Sequence, residues 1–306
     1  MAFLTIFTAP KPFIDQHIAM IQRNAIQSWV LLPDVEIFLI GDEVGLAEAA
    51  KEYHVKHLPD VRRNQNGTPL ISSMIDIIRR ISDSPLLCIV NTDILLMDDI
   101  VSSSRQAAAL RETFVLMGQR WDLVVTEALN FSSGWESRLR ARLKEQGRLH
   151  RPVGSDYFVF PRTCYTSIPD FAIGRSGWDN WMIYKSRAEK WPALDATSSI
   201  TVIHQEHDYS HLPDGQPHYS LPESLENIRL AGGTAAIRYT VLDATARFAA
   251  GKITRPLPSW DRFKRGIERC IRRVFSSVLP EETLEIVARP RRLFRRLKRR
   301  LNSSKR

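Results

Sequence analysis

The sequence predicts an α/β protein with a central sheet covered by helices on both faces. Over residues 2–90, short apolar segments alternate with longer segments whose apolar residues recur at helical spacing. The last apolar segment, at 87–90, ends abruptly at Asn91-Thr92-Asp93. A buried strand that ends in a carboxylate is typical of a parallel sheet, whose carboxyl edge is where open α/β folds bind ligands.

The first half of the chain is predicted to alternate strands and helices. A strand at residues 2–8 precedes a helix whose apolar stripe is Phe13, Ile14, Ile18, Ile21, Ala25 and Trp29. The next predicted elements are a strand at 35–40, a helix at 46–53, and strands at 55–58 and 86–90. Thr68 and Pro69 are predicted to be the N-cap and the first turn of another helix before the last of these strands.

The second half is less regular in pattern. We predict a strand at 157–160, a helix at 178–187 and a strand at 200–204, separated by long loops rich in Gly, Pro, Ser and Trp. Long ordered loops on a scaffold are usual places for substrate contacts. A chain of 306 residues is long enough to bury one large core with an appendage.

The net charge of +9 is concentrated in the last part of the sequence. Nine basic and no acidic residues lie within 291–306, so residues 1–290 have a net charge of zero. Before this run, apolar residues recur at helical spacing from Trp260 to Val278 among arginines and lysines. This pattern is typical of a basic amphipathic helix on an anionic membrane, with a solvated tail as the alternative. Nucleic acid is disfavoured as a partner because the aromatic residues here lie on the apolar stripe.

We therefore predict one large domain at 1–257 and a basic helical extension at 258–306. Cys88, Cys164 and Cys270 are widely separated, which predicts neither a disulfide framework nor a thiolate zinc site and fits a reducing compartment. The first residues lack the pattern of a signal peptide, and no apolar stretch is long enough to span a bilayer. We expect a cytoplasmic protein, attached peripherally at the inner membrane face through the extension.

Asp93 is the first candidate site residue. It interrupts a core segment, because residues 87–90 and 94–97 on either side of it are apolar. Burying a lone carboxylate is costly unless it is paired or bound to a cation. A metal ion would remove this conflict, and the alternative is that Asp93 caps the following turn.

Two further acids lie beside aromatic residues. Asp156 stands at the entry of the predicted strand 157–160, and Asp179 and Asn180 follow Trp178 in a glycine-rich segment. A flat ring and a carboxylate on a flexible turn suit the binding of a sugar next to a general base. The alternatives are a tryptophan in the core and an Asp179 that caps the helix.

The third cluster is His204-Gln205-Glu206-His207-Asp208-Tyr209-Ser210-His211. Neutral imidazole is a good ligand for transition metals, so three histidines after an apolar strand indicate a metal site. Histidines on the surface, without a ligand role, are the alternative.

The order of these motifs resembles bacterial and plant glycosyltransferases of the GT-A, nucleotide-diphospho-sugar transferase type, over roughly residues 2–215. The matching segments are 5–12, 41–43, 67–70, 91–93, 154–158, 177–181 and 204–209. The resemblance implies a Rossmann-like GT-A domain with a mixed central sheet. It also implies transfer of a sugar from a nucleotide-diphosphate donor to a hydroxyl of an acceptor such as a cell-surface or membrane-associated glycan.

The same resemblance implies roles for individual residues. The donor-binding residues would be Thr8, Ala9, Pro10, Asp42, Gly67, Thr68, Asn91 and Asp93. Asp93 would be the last acid of a DxD-type motif that holds Mn²⁺ or Mg²⁺ against the donor diphosphate, with His204 or His207 as a further ligand. Asp179 would be the general base of an inverting enzyme, and Asp156, Trp178 and Asn180 would contact the acceptor or the sugar.

Asn91 departs from the family's pattern, because the DxD motif has its first Asp at this position. The site therefore has one negative charge fewer, although the amide can still accept a hydrogen bond from a ribose or a metal-bound water. Two alternatives stay open. A sugar-phosphate nucleotidyltransferase shares the sheet, but it normally has a Gly-rich, Arg-containing loop where this chain has residues 8–12. A non-catalytic nucleotide-sugar- or membrane-binding protein would have lost its metal through Asn91.

Overall fold

The computed structural model describes residues 1–207, 221–275 and 283. Contacts between residues divide the chain into two units, Met1–Pro256 and Leu257–Arg306. The described strands of the first unit are β1 (Leu4–Thr8), β2 (Val35–Ile40), β3 (Lys56–Leu58), β4 (Leu86–Val90), β5 (Ile94–Leu95), β6 (Val115–Met117), β7 (Trp121–Val124), β8 (Arg148–Leu149), β9 (Tyr157–Pro161), β10 (Ala193–Asp195), β11 (Ile203–Glu206), β12 (Ala246–Ala249) and β13 (Lys252–Thr254). Its described α-helices are α1 (Gln16–Val30), α2 (Leu46–Glu52), α3 (Ile71–Ile81), α4 (Asp99–Leu110), α5 (Trp135–Gln146), α6 (Trp178–Ala188) and α7 (Pro222–Leu230).

The larger sheet is mixed. Its strand order in the described residues is β13-β12-β10-β6-β9-β4-β1-β2-β3. β1 is parallel to both β2 and β4, whereas β9 runs antiparallel to β4 and β6. This architecture confirms the predicted α/β class with a mixed central sheet.

Apolar residues cover both faces of this sheet. Side chains alternate between the faces of a strand, so Ile6 of β1 and Cys88 of β4 belong to one core cluster while Phe7 and Ile89 belong to another. All four side chains are fully buried. A strand buried on both faces is apolar throughout, which explains why β1 and β4 were recognisable in the sequence.

The first helix shows how the predicted stripe packs. Asp15 is the N-cap of α1, and its carboxylate accepts a hydrogen bond from the backbone N–H of Ile18 at 2.8 Å. The stripe residues within the helix are buried. Ile14 is a correction to the prediction, because it precedes the helix and is 71% exposed.

The third helix begins later than predicted. α3 starts at Ile71, its N-cap position is Leu70, and no side chain caps it. Pro69 and Leu70 instead form isolated β-bridges with Arg63 and Ala172. This pairing holds them in an extended conformation, so the prediction that Thr68 is the N-cap is wrong. The predicted strand at 200–204 is also displaced, because β11 begins at Ile203.

A second, smaller sheet has the order β5-β11-β7-β8. Its register aligns one residue from each strand. His204 of β11 is paired with Ile94 of β5 and with Asp122 of β7, and Asp122 is paired with Arg148 of β8. Because β5 follows β4 after a short turn, this sheet brings His204 next to Asp93.

The described helix of the second unit is α8 (Trp260–Phe275). The rings of Trp260 and Phe263 stack with centroids 5.3 Å apart, and the ammonium of Lys264 lies 5.3 Å from the Trp260 ring. The predicted amphipathic helix is therefore confirmed as a helix up to Phe275. Val278 and the basic run at 291–306 lie outside the described residues. Within the residues that are described, no helix is both long and apolar enough to cross a membrane.

Candidate active site

The carboxyl edge of the larger sheet brings the ends of β1 and β4 together. The two strands are parallel neighbours, and the hydroxyl of Thr8 lies 2.9 Å from the hydroxyl of Thr92. Pro10 is buried and Ala9 is half-buried. The predicted donor-binding residues at the end of β1 are therefore next to the segment that holds Asp93.

Asp93 lies beside two imidazole rings. Its Oδ2 is 3.5 Å from Nε2 of His204 and 3.2 Å from Nε2 of His207. One ligating atom from each of the three side chains lies within 4.8 Å of the others. Asp93 Oδ1 is buried and has no hydrogen-bond partner in the part of the chain that the structure describes. Because such an oxygen is costly to bury alone, the three side chains fit a divalent cation.

The two imidazoles also set the charge of Asp93. Burial alone raises the pKa of Asp93, but hydrogen bonds and charge interactions with His204 and His207 outweigh it and hold the pKa well below its ordinary value. Burial alone lowers the pKa of His204, but its contact with Asp93 outweighs burial and raises the pKa. Asp93 is therefore a carboxylate at neutral pH, which is the form that binds a metal.

Asp122 lies on the other side of the His204 ring. Its Oδ1 is 3.5 Å from Nδ1 of His204 and accepts a hydrogen bond from Nε of Arg120 at 3.0 Å. Its Oδ2 is 2.7 Å from Nδ1 of His150 and 3.3 Å from an Nη2 of Arg148. Burial alone raises the pKa of Asp122, but His150 and Arg120 outweigh burial and lower it. Asp122 is thus a buried carboxylate held by several donors.

Asp156 joins this group to the segment after β4. Its Oδ1 accepts hydrogen bonds from Nη1 of Arg120 at 2.8 Å and from Nδ2 of Asn91 at 2.9 Å. Burial alone lowers the pKa of Arg120, but the charges of Asp156, Asp122 and Asp93 outweigh it and raise the pKa. Arg120 therefore stays charged and bridges two carboxylates beside the candidate metal ligands.

Asp179 lies in the first turn of α6 and faces Gly154. A Cβ at Gly154 would be 2.1 Å from Oδ2 of Asp179, so a larger residue at position 154 would displace the carboxylate from this position. Burial raises the pKa of Asp179 to about 6, helped by the charge of Asp156 and opposed by backbone N–H groups at the start of the helix. A carboxyl group that titrates near neutral pH is suited to take a proton from a hydroxyl.

Two of the predicted sugar- or acceptor-binding residues, Trp178 and Asn180, are in contact with other parts of the protein. Trp178 is 4% exposed and packs edge-on against Phe158, with ring centroids 5.8 Å apart. Its ring is therefore part of the core in this structure, and a role in binding the sugar or the acceptor stays a prediction. The side-chain amide of Asn180 donates to the carbonyls of Val153 at 2.9 Å and Tyr239 at 2.7 Å. Asn180 therefore links the loop that contains Val153 to the segment that contains Tyr239.

The remaining donor-binding candidates, Asp42, Gly67 and Thr68, lie in the loops after β2 and before α3. Arg63 pairs with the carboxylate of Asp42 and donates to the carbonyl of Gly67 at 2.7 Å. The hydroxyl of Thr68 donates to Oε1 of Glu223 at 2.6 Å. Asp42 and Gly67 are exposed, and 71% of the Asp42 side chain is accessible. The structure thus brings Asp42 and Gly67 together through Arg63.

The sequence analysis missed Arg120, Asp122 and His150. Asp122 had a detectable signal, because it precedes the apolar run 123–125 just as Asp93 adjoins apolar segments on both sides. Arg120 and His150 had none, since their role comes from contacts with acids that the fold brings to them. His211 and Asp208 of the histidine segment lie outside the described residues.

No protein-family model matches this chain, and no curated protein matches it. Among solved structures, it is similar to a mannosyltransferase from Pyrobaculum calidifontis in complex with GDP-Man and Mn²⁺, at 10% identity and a TM-score of 0.41, over 68% of this chain and 57% of that chain. It is similar to glucosyl-3-phosphoglycerate synthase of M. tuberculosis at 13% identity and a TM-score of 0.46, over 76% of this chain and 81% of that one. It is also similar to residues 1–349 of S. aureus TarS in complex with UDP-GlcNAc, at 12% identity and a TM-score of 0.47, over 94% of this chain and 79% of that one. At these identities the likeness is one of fold alone.

Proposed function

We propose that this protein is a glycosyltransferase that moves a sugar from a nucleotide-diphosphate-sugar donor to an acceptor hydroxyl. The observation that carries the proposal is the group formed by Asp93, His204 and His207 at the carboxyl edge of the sheet, beside the end of β1. Ligands of open α/β sheets bind at this edge. A carboxylate and two imidazoles there would hold a cation, and the donor diphosphate would bind to that cation.

On the donor side, Asp93, His204 and His207 would hold Mn²⁺ or Mg²⁺. A bound divalent cation stabilises the negative charge of a leaving diphosphate. The nucleoside would lie along Thr8, Ala9 and Pro10, which follow the same edge of the sheet. Two imidazoles and one carboxylate favour Mn²⁺ over Mg²⁺, because Mg²⁺ prefers oxygen ligands.

On the acceptor side, Asp179 would be the general base. As the acceptor oxygen forms its bond to the anomeric carbon, the bond from that carbon to the diphosphate breaks, and the hydroxyl proton passes to the Asp179 carboxylate. Gly154 leaves the space that this carboxylate occupies, and burial, together with the charge of Asp156, raises its pKa toward neutrality. An inverting reaction follows from this assignment, since base and leaving group then lie on opposite sides of the sugar.

We propose in addition that the basic extension attaches the enzyme to an anionic membrane surface. The support is the apolar stripe of α8 and the concentration of all excess positive charge in residues 291–306. Each basic residue near an anionic leaflet contributes on the order of 1 kcal/mol to binding. A membrane-associated glycan or another hydroxyl compound at that surface would be the acceptor.

The test of the function is a screen of nucleotide sugars. We would measure the melting temperature of the protein with UDP-, GDP- and dTDP-sugars, each with Mn²⁺ and with EDTA. A donor at about 100 times its Kd stabilises the fold by roughly 2.7 kcal/mol. The donor that raises the melting temperature only with Mn²⁺ would then be assayed for hydrolysis and transfer. Binding without any turnover would favour the non-catalytic alternative.

A further inference from the structure

The register of the smaller sheet places two charged side chains next to the same imidazole. His204 of β11 is directly opposite Asp122 of β7. Directly opposite residues on neighbouring strands have their side chains on the same face of the sheet. Pairing of β11 with β5 then brings the other edge of the ring to Asp93, the residue before β5.

The two nitrogens of His204 face two different carboxylates. Nε2 is 3.5 Å from Oδ2 of Asp93, and Nδ1 is 3.5 Å from Oδ1 of Asp122. Nδ1 is buried and has no hydrogen bond within the described part of the chain. An imidazole that binds a cation through Nε2 has its proton on Nδ1, and that proton needs an acceptor. Asp122 Oδ1 is the carboxylate oxygen that faces it.

Asp122 is held in place independently of His204. Nε of Arg120, Nδ1 of His150 and Nη2 of Arg148 lie 3.0, 2.7 and 3.3 Å from its two oxygens. With 3% of its side chain exposed, it is shielded from solvent. A carboxylate fixed in this way can determine the orientation of the ring beside it, rather than follow it.

We propose that Asp122 is a positioning residue that fixes the tautomer and the orientation of His204, so that Nε2 is aimed at a divalent cation shared with Asp93. A carboxylate behind a ligating histidine raises the basicity of the ligand and strengthens metal binding. Asp122 thereby adds a negative charge on the side of His204 that faces away from the cation. The neutral side chain of Asn91 adds no such charge to the site. The inference rests on the metal site of the proposed function.

The test is calorimetric titration of Mn²⁺ into the full-length protein and its variants. Asp122→Asn keeps the size of the side chain and removes its charge, and we expect it to weaken Mn²⁺ affinity by about 10- to 100-fold. His204→Ala should weaken affinity at least as much. Adding Asp122→Asn to His204→Ala should cause no further loss, because Asp122 acts through the ring. Glu36→Gln is the matched control, since Glu36 is a carboxylate held by several donors near the amino ends of β1 and β2, and it should leave Mn²⁺ affinity unchanged.

Wild-type Mn²⁺ affinity in Asp122→Asn would overturn the inference, and so would losses that add in the double variant. In case Asp122→Asn does not fold, ¹⁵N NMR of the wild-type protein with Zn²⁺ as a diamagnetic probe reports the tautomer. A proton on Nδ1 of His204 supports the inference, and a proton on Nε2 overturns it. A wild-type protein that binds no Mn²⁺ also overturns it. Mn²⁺ binding with the predicted variant pattern but no sugar transfer would contradict the proposed function alone.

Discussion

Asn91 and Asp156 are joined by two hydrogen bonds. The side-chain amide of Asn91 donates to Oδ1 of Asp156 at 2.9 Å, and its backbone N–H donates to the Asp156 carbonyl at 3.0 Å. Asn91, which is at the first position of the predicted DxD-type motif, is therefore a donor to a carboxylate. An aspartate at this position would face Asp156 as a second negative charge.

Asn91→Asp should consequently destabilise the protein instead of improving the metal site. We expect a loss of about 1–3 kcal/mol in unfolding free energy at neutral pH, because the half-buried Asp156 carboxylate loses one of its donors and meets a like charge. Chemical denaturation of the wild type and the variant measures this loss, and calorimetry with Mn²⁺ checks the metal site. An Asn91→Asp variant with wild-type stability and tighter Mn²⁺ binding would show that the two side chains do not depend on each other.

Asp179→Asn should lower kcat by about 100-fold or more while donor affinity stays near the wild-type value, because the base acts on the acceptor. With a pKa of about 6, the wild-type rate should rise with pH through that value as the carboxyl loses its proton. A pH profile of kcat with saturating donor measures both effects. Equal losses of donor affinity and kcat/KM would make Asp179 a donor-positioning residue.

The raised pKa of Asp179 should also make the stability of the protein depend on pH. The same loss of a proton that is expected to raise the rate should lower the unfolding free energy. The carboxyl of Asp179 has an ordinary value of 3.8 and a folded value of about 6, so the folded state binds its proton more tightly. Between these values the wild type should lose stability as the pH rises. Asp179→Asn should be more stable than the wild type above pH 6 by about 1–3 kcal/mol, since one pKa unit corresponds to about 1.4 kcal/mol. Identical pH dependence of unfolding for both proteins would contradict the raised pKa.

Glu36 should stabilise the fold with the reverse dependence on pH. Burial alone raises its pKa, but hydrogen bonds from Lys56, Ser82, Thr5 and Ser84 lower the pKa from 4.5 to about 2. Its contribution is thus complete above pH 4.5 and is lost as the pH falls toward 2. Glu36→Gln should lower the melting temperature at pH 7, and the difference from the wild type should shrink as the pH falls below 4. A difference that does not change with pH would contradict this account.

Removal of residues 258–306 should leave a folded unit that still binds the nucleotide sugar, because the candidate site lies within residues 1–207. The full-length protein should sediment with phosphatidylserine-containing vesicles and be released by salt, which shortens the range of charge attraction. The truncated protein should stay in the supernatant. A second truncation after residue 275 separates the contribution of α8 from that of the basic run. Equal sedimentation of full-length and truncated protein would contradict membrane attachment.

Much of the first half of the fold could be predicted because β1, β4 and most of β2 are buried on both faces of the sheet. Strands 35–40 and 86–90 coincide with β2 and β4 as observed. For residues 99–149, the sequence analysis predicted no helices or strands. α5 has only Leu139 and Leu143 buried among many arginines, and β8 has two exposed residues. Such elements are stabilised by their neighbours in the fold, which periodicity does not reveal.

The residues of the candidate site were also predictable only in part from the sequence. Asp93 could be recognised because it interrupts an apolar segment, and His204 and His207 because they belong to a histidine-rich segment after an apolar strand. The structure brings the three side chains together. Arg120 and His150 could not be recognised, because their significance depends on Asp122 and Asp156, to which they are joined only by folding. The burial of Trp178 could not be predicted, since a tryptophan beside an acid has the same sequence pattern whether its ring faces a sugar or the core.

Donor cleavage by the wild type and by Asp93→Asn, each with Mn²⁺ and with EDTA, tests the central claim most directly. Asp93→Asn should remain folded but lose Mn²⁺-dependent release of the nucleoside diphosphate, because it removes the carboxylate between the two imidazoles. Asp170→Asn is the control, since this acid pairs with Arg62 on the surface and should leave the rate unchanged. The account predicts cleavage by the wild type and by the control with Mn²⁺ only. Full Mn²⁺-dependent cleavage by Asp93→Asn would contradict it.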